Sequence, residues 1–180
     1  MSRTRRAIKP AAAAIVAAAA LAAVLGGCGY RLRGTGSSLP PSIKTISVPM
    51  FKNQTTWFEL DVKLTQAVID EFVARGKVKL SSDPAAADAV LEGEIIGFTA
   101  TPIGFSGGNQ ADTYNVVVTA KVALKARGQA APLFSNPAYI YQQEYEVPQG
   151  SSFESVQAEA VGKIAEKFAR SLVVSILEGF

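Results

Sequence analysis

Few residues in this chain have the types and spacing that chemistry needs. Gly104-Phe105-Ser106-Gly107-Gly108 matches G-x-S-x-G, the strand-to-helix elbow that lifts a serine nucleophile in hydrolases. An elbow needs a helix directly after the serine and a base beside it. Here a strand pattern follows, and the chain has no histidine, so the match reads as a hairpin tip. With no histidine and a single cysteine, Cys28, the usual zinc and copper ligands are missing and no disulfide can form within the chain. No D-x-[DN]-x-[DN]-G calcium loop occurs. Glu92 and Glu94 could resemble a glycosidase pair. Two residues apart on a strand, however, they would face Lys121 and Ala123 if a hairpin closes around residues 106–109. Cross-strand ion pairs explain them better. Gly34-Thr35-Gly36 lacks the rest of a phosphate loop. The expectation is a non-enzymatic protein without metal or cofactor.

The cysteine has a different use. Arg3, Arg5, Arg6 and Lys9 precede an apolar run from Ala11 to Leu25, and Leu25-Gly26-Gly27-Cys28 follows. The three parts are those of a secretory signal. The last four residues resemble the lipobox of bacterial lipoproteins, in which small residues admit the peptidase and the thiol accepts diacylglycerol. An uncleaved transmembrane anchor is the competing reading, but the apolar run falls just short of a typical span. The expectation is a signal peptide over residues 1–27, with Cys28 lipidated. One acyl chain anchors poorly at roughly 0.8 kcal/mol per buried methylene, whereas two or three hold firmly. Gly29 in place of Asp after the cysteine fits the enterobacterial rule for export to the outer membrane. Asn53-Gln54-Thr55 fits a glycosylation sequon, but such a protein gives little reason to expect its use.

The formal charge of +3 misleads. No acidic residue precedes Glu59, so the part from Cys28 onward carries 14 basic and 15 acidic side chains. A nucleic-acid binder needs a basic domain, and this one is nearly neutral. One stripe of charge stands out. Lys121, Lys125 and Arg127 share a strand face, either balanced by Glu92 and Glu94 or open to the phosphates of a lipid headgroup. Tyr139, Tyr141 and Tyr145 alternate likewise and suit a mixture of core and partner contact.

The elements that would position these residues follow from periodicity. Residues 28–42, rich in Gly, Pro and Ser, read as an extended tether. Residues 43–51 form a first strand, with Pro49 suggesting an edge or bulge. Thr56-Trp57-Phe58-Glu59 fits a capping box, and Leu60, Leu64, Val68 and Phe72 then make a helical stripe ending near Gly76. Residues 78–80 and 89–99 are strands. Residues 114–127 are the clearest strand, with Tyr114, Val116, Val118, Ala120, Val122 and Leu124 on one face. The Gly-rich residues 101–112 between them read as a loop whose apolar Ile103 and Phe105 are candidates for docking a partner. A strand over 139–147 precedes a second box, Ser151-Ser152-Phe153-Glu154, and a helix over about 152–177. Its inner face is Val161, Ile164, Ala165, Phe168, Leu172 and Ile176. The expected fold is α+β. Two helices lie on one face of a mixed, mostly antiparallel sheet of four or five strands, forming one domain over residues 43–180.

Cys28-Gly29-Tyr30-Arg31-Leu32-Arg33-Gly34, then Leu39-Pro40, then Ile43-Lys44-Thr45-Ile46-Ser47-Val48, resembles the start of the LptE family of lipopolysaccharide-assembly lipoproteins. Phe51-Lys52-Asn53-Gln54-Thr55, Ala87-Asp88-Ala89-Val90-Leu91-Glu92-Gly93 and Tyr114-Asn115-Val116-Val117-Val118-Thr119 extend the likeness over almost all of the chain after Cys28. The resemblance implies a two-helix, four-stranded domain seated as a plug inside LptD, an outer-membrane β-barrel, with lipopolysaccharide as the cargo inserted into the outer leaflet. The family pattern includes a basic residue in the loop before the long strand. Residues 101–112 hold no Lys or Arg, so phosphate binding is not carried over to that loop, while insertion into the barrel is. A lipoprotein of another envelope transport or secretion machine is the alternative, to be told apart by its partner.

Overall fold

The computed structural model describes residues 38–106 and 110–179. Cys28, the expected signal peptide and the Gly34-Thr35-Gly36 segment lie outside the described residues. The elements are β1 (Thr45–Ser47), β2 (Lys52–Asn53), α1 (Leu60–Arg75), β3 (Lys79–Leu80), β4 (Ala89–Ser106), β5 (Gln110–Ala126), β6 (Phe134–Glu146) and α2 (Phe153–Glu178). The strands form one mixed sheet in the order β3-β1-β4-β5-β6, and β2 also pairs with β4. β1, β2 and β3 pair in parallel, while β4, β5 and β6 form an antiparallel meander. The expected two-helix α+β sheet is present, with a sixth strand.

Alternation on β5 decides which face is inside. Val116, Val118, Ala120, Val122 and Leu124 are buried, while Lys121 and Lys125 are exposed. The α1 stripe Leu60, Leu64, Val68 and Phe72 and the α2 stripe from Val161 to Ile176 are buried with them in a single core. An antiparallel strand rises about 3.4 Å per residue and a helix 1.5 Å, so α2 spans about the length from Tyr114 to Leu124. Phe153, at the start of α2, meets Tyr114, at a ring-centroid distance of 4.8 Å. The hairpin beyond that row therefore projects past the helical layer by about 14 Å.

Several local expectations are corrected. The first strand is three residues long and internal to the sheet rather than at its edge. After β1 the chain breaks at Pro49, and β2 resumes against the same neighbour, β4. Between them Phe51 is buried, its ring lying across Gly93, where a Cβ would fall 2.5 Å from the ring. The Phe51 amide donates to Thr65 Oγ1 on α1 at 2.9 Å, which fixes the link to the helix. The Thr56 capping box does not form. The N-cap of α1 is Glu59 at φ 57°, without a side-chain cap. Upstream, Asn53 Oδ1 accepts from the Thr55 amide and hydroxyl, and Thr55 Oγ1 accepts from the Trp57 amide. These local bonds hold the approach in a turn. On α2 the box is shifted by one residue: Ser152 accepts from the Ser155 amide and Ser155 bonds back to the Ser152 amide.

The expected loop over 101–112 is the second large correction. β4 runs to Ser106 and β5 starts at Gln110, so the hairpin is strand almost to its tip. Cross-strand hydrogen bonding overrides the local preferences of Pro102 and Gly104. Register shifts between Ile95 and Gly97 and between Pro102 and Phe105 absorb the mismatch. The first shift moves the inner face from Ile95 to Phe98, which is buried.

Candidate functional site

Two features face outward. The first is the sheet side turned away from the helices, which carries the basic stripe. Register places Glu94 opposite Lys121 and Glu92 opposite Ala123. Lys121 Nζ lies 3.1 Å from Glu94, and Lys125 Nζ 2.6 Å from Glu92. Gln54 also donates to Glu94. Arg127 is engaged at the end of the stripe. One guanidinium nitrogen is 3.8 Å from Asp88, and another donates to the Ala85 carbonyl at 2.9 Å. The Asp88 carboxylate accepts from the Thr45 hydroxyl and from the Lys44 and Thr45 amides, at 2.8–3.0 Å. These bonds, with Arg127 beside them, hold its pKa below the ordinary value of 3.8. The face forms an open groove of about 820 Å³, with Met50, Val90 and Pro137 among its apolar lining and Lys52 among its charges. All three stripe residues are thus brought to one surface, each beside a carboxylate.

The second feature is the projecting hairpin. Ile103 is 51 % and Phe105 64 % exposed. At its root stands an aromatic collar that sequence reasoning missed. Trp57 lies 4.5 Å from Phe98 and 6.2 Å from Phe153, centroid to centroid, and Tyr145 packs edge-on to Phe153. No spacing rule joins these residues. Trp57 comes from the turn before α1, and Phe98 turns inward only because of the register shift. The tyrosine alternation resolves to core: Tyr139 and Tyr145 are buried, Tyr141 is half-buried, and Tyr139 and Tyr141 both pack edge-on to Phe168. Near the root, the buried Asn115 Oδ1 has no hydrogen-bond partner among the described residues.

Among the described residues no group of His, Cys, Asp and Glu could hold a metal ion, and no helix is long and apolar enough to cross a membrane. A strand, β5, follows the Gly104–Ser106 segment, where a hydrolase elbow would need a helix.

The described residues form an α+β domain of the two-layer class, with two helices on one face of a six-stranded sheet and a long overhanging hairpin. The LptE lipopolysaccharide-assembly family model matches residues 43–176, and the chain belongs to that family of outer-membrane lipoproteins. No curated protein matches it in sequence. Among solved structures, a hypothetical protein from Chlamydia trachomatis is similar at TM-score 0.53 and 11 % identity, over 77 % of this chain and 97 % of its own. A protein from Xanthomonas campestris is similar at TM-score 0.50 and 12 % identity, over 78 % and 90 %. The rare lipoprotein B of Shewanella oneidensis aligns at TM-score 0.41 and 13 % identity, over 73 % and 96 %. At these identities the first two show a shared fold.

Proposed function

We propose that this protein is held to the periplasmic side of the outer membrane by acyl chains on Cys28. In this reading residues 1–27 are removed as a signal peptide, and the domain plugs an LptD-type β-barrel to help insert lipopolysaccharide into the outer leaflet. Family membership supports the assembly role. The observation that carries the plug reading is the hairpin overhang, whose exposed Ile103 and Phe105 stand beyond the helical layer. The projecting strands reach ahead of the sandwich toward a lumen wall, and their exposed apolar side chains lose water only against a partner. The tether is at most residues 28–37 in this reading, because Ser38 is bonded to α2 and Leu39 is buried in the core.

Lys121, Lys125 and Arg127 are proposed as the lipopolysaccharide-facing cations. Anionic phosphates would have to displace Glu92 and Glu94 from the lysines, which are more than half exposed. Exposed ion pairs are worth at most about 1 kcal/mol, so the exchange is inexpensive. The deciding experiment for the plug is Ile103→Ser with Phe105→Ser in the full chain. The expected result is an unchanged melting temperature with weakened co-purification of the barrel. Full retention of the complex would move the interface to the helices or the sheet face.

A further inference from the structure

The groove on the outer sheet face is unevenly charged. Its charged lining is Lys52, Lys121, Lys125 and Arg127 against Glu92 and Glu94, four cations to two carboxylates. Parallel register sets Lys52 beside Glu94 on β4, and antiparallel register sets Glu94 beside Lys121 on β5. One carboxylate thus stands between two lysines, and only one of them holds it. Lys121 donates to Glu94 Oε2 at 3.1 Å, and Gln54 donates to Oε1. Lys125 pairs with Glu92, and Arg127 lies beside Asp88. Of the four cations lining the groove, Lys52 alone has no carboxylate partner among the described residues.

Most of the remaining lining is apolar. Ala123 stands between Lys121 and Lys125 on β5, and Val90 of β4 lies across the ladder from Lys125. These short side chains form a floor. On one side the chain break at Pro49 carries Met50 outward, 62 % exposed, while Phe51 turns into the core. Pro137 of β6 lines the other side. A thioether on three rotatable bonds adapts to what lies against it. The volume of about 820 Å³ falls within the range of roughly 300–1,000 Å³ usual for small-ligand sites. An inorganic anion would use the cations and leave the apolar walls wet. A wholly apolar ligand would leave Lys52 without a counter-charge. A phosphate joined to an acyl chain satisfies both parts.

We propose that the groove seats a phosphorylated lipid, with Lys52 taking the phosphate and one acyl chain lying over Val90 and Ala123 against Met50. The inference rests on the lipid-facing role proposed above for this face, adds Lys52 to it, and does not depend on the hairpin. Lys52 receives the phosphate without displacing a carboxylate, whereas Lys121 and Lys125 must first give up Glu94 and Glu92. Gln54 keeps Lys52 available, because it occupies the Glu94 oxygen that Lys121 leaves over.

The test titrates the full chain with purified lipopolysaccharide in a non-ionic detergent at constant salt. Lys52→Gln should weaken binding about fivefold, the worth of one exposed charge contact, and Lys52→Arg should keep it. Lys125→Gln makes the same change in charge but should weaken binding only about twofold, because its lysine is already paired. Gln54→Ala changes no charge and should still weaken binding, by releasing Glu94 to Lys52. Residues 52, 54 and 125 are exposed, so all four variants should melt as wild type does. Fully deacylated lipopolysaccharide and inorganic phosphate should compete poorly with the intact lipid. Binding that falls with Lys125→Gln but not with Lys52→Gln would overturn the inference and leave the basic stripe as the lipid site. Equal competition by the deacylated form or by inorganic phosphate would overturn the acyl seat. Absence of binding to the wild type, or binding untouched by every variant, would remove lipid from this face and with it the role proposed for Lys121, Lys125 and Arg127.

Discussion

Gly93 lies where the Phe51 ring crosses β4, and an added Cβ would sit 2.5 Å from that ring. Phe51 is buried and its amide is tied to Thr65, so the ring has little room to retreat. Gly93→Ala is therefore expected to destabilise the domain by about 1–3 kcal/mol, the usual range for overpacking. Urea unfolding measures it, and adding Phe51→Leu should recover part of the loss. A midpoint equal to wild type would mean the ring moves aside freely. Asp88 carries a second prediction. Its depressed pKa means the folded state holds the carboxylate better than the unfolded chain does. That stabilisation is present above about 3.8, the ordinary carboxylate value, and is lost as pH falls through the lower folded pKa. Asp88→Asn should thus lower the melting temperature at neutral pH, and the gap from wild type should close below that value. A gap independent of pH would assign the effect to shape rather than charge.

Helix starts show how elements respond to their surroundings. Both were read from a Ser or Thr three residues before Glu, yet only the second has a cap, and there the partner is Ser155. At α1 the approach is already held by Asn53 and Thr55, and Trp57 is drawn into the collar with Phe98 and Phe153. The two sites should therefore answer alanine differently. Ser152→Ala is expected to cost about 0.5–2 kcal/mol. Thr56→Ala should stay within about 0.5 kcal/mol, as at ordinary surface positions. Thermal melts of the two variants decide this, and equal losses would restore Thr56 as a cap. The hairpin gives the same lesson for strands. Pro102 and Gly104 suggest a loop, but the ladder with β5 carries them as irregularities in a strand that reaches Ser106.

For the whole molecule, the chain enters the domain at the end opposite the hairpin. The Ser38 amide and hydroxyl bond the Leu177 and Ile176 carbonyls at 2.6 and 2.7 Å, at the C-terminus of α2. The hairpin overhang lies beyond the N-terminus of the same helix. Ser38, the first described residue, and the exposed Ile103 and Phe105 therefore lie at opposite ends of the described domain. Cys28→Ser is expected to abolish fatty-acid labelling and outer-membrane residence, because the chain has no other thiol to take the thioether. Metabolic labelling with an alkynyl fatty acid, followed by membrane fractionation, checks it; undiminished label would refute the assignment.

Periodicity alone determined the helices, the face each buries, the inner row of β5 and the pairing of Glu94 with Lys121. These depend on spacing within one element, or on one hairpin register, and spacing is written in the chain. The resemblance to LptE likewise rested on residues in order along the chain. Only tertiary structure decided the rest. The division of the first strand around Pro49, the shift that turns Phe98 inward, the collar of Trp57, Phe98 and Phe153, and the burial of Tyr139 and Tyr145 depend on contacts between residues far apart in sequence. So does the binding of Asp88 to the first strand. Local preference is worth fractions of a kcal/mol per residue, and a ladder bond or a buried ring outweighs it.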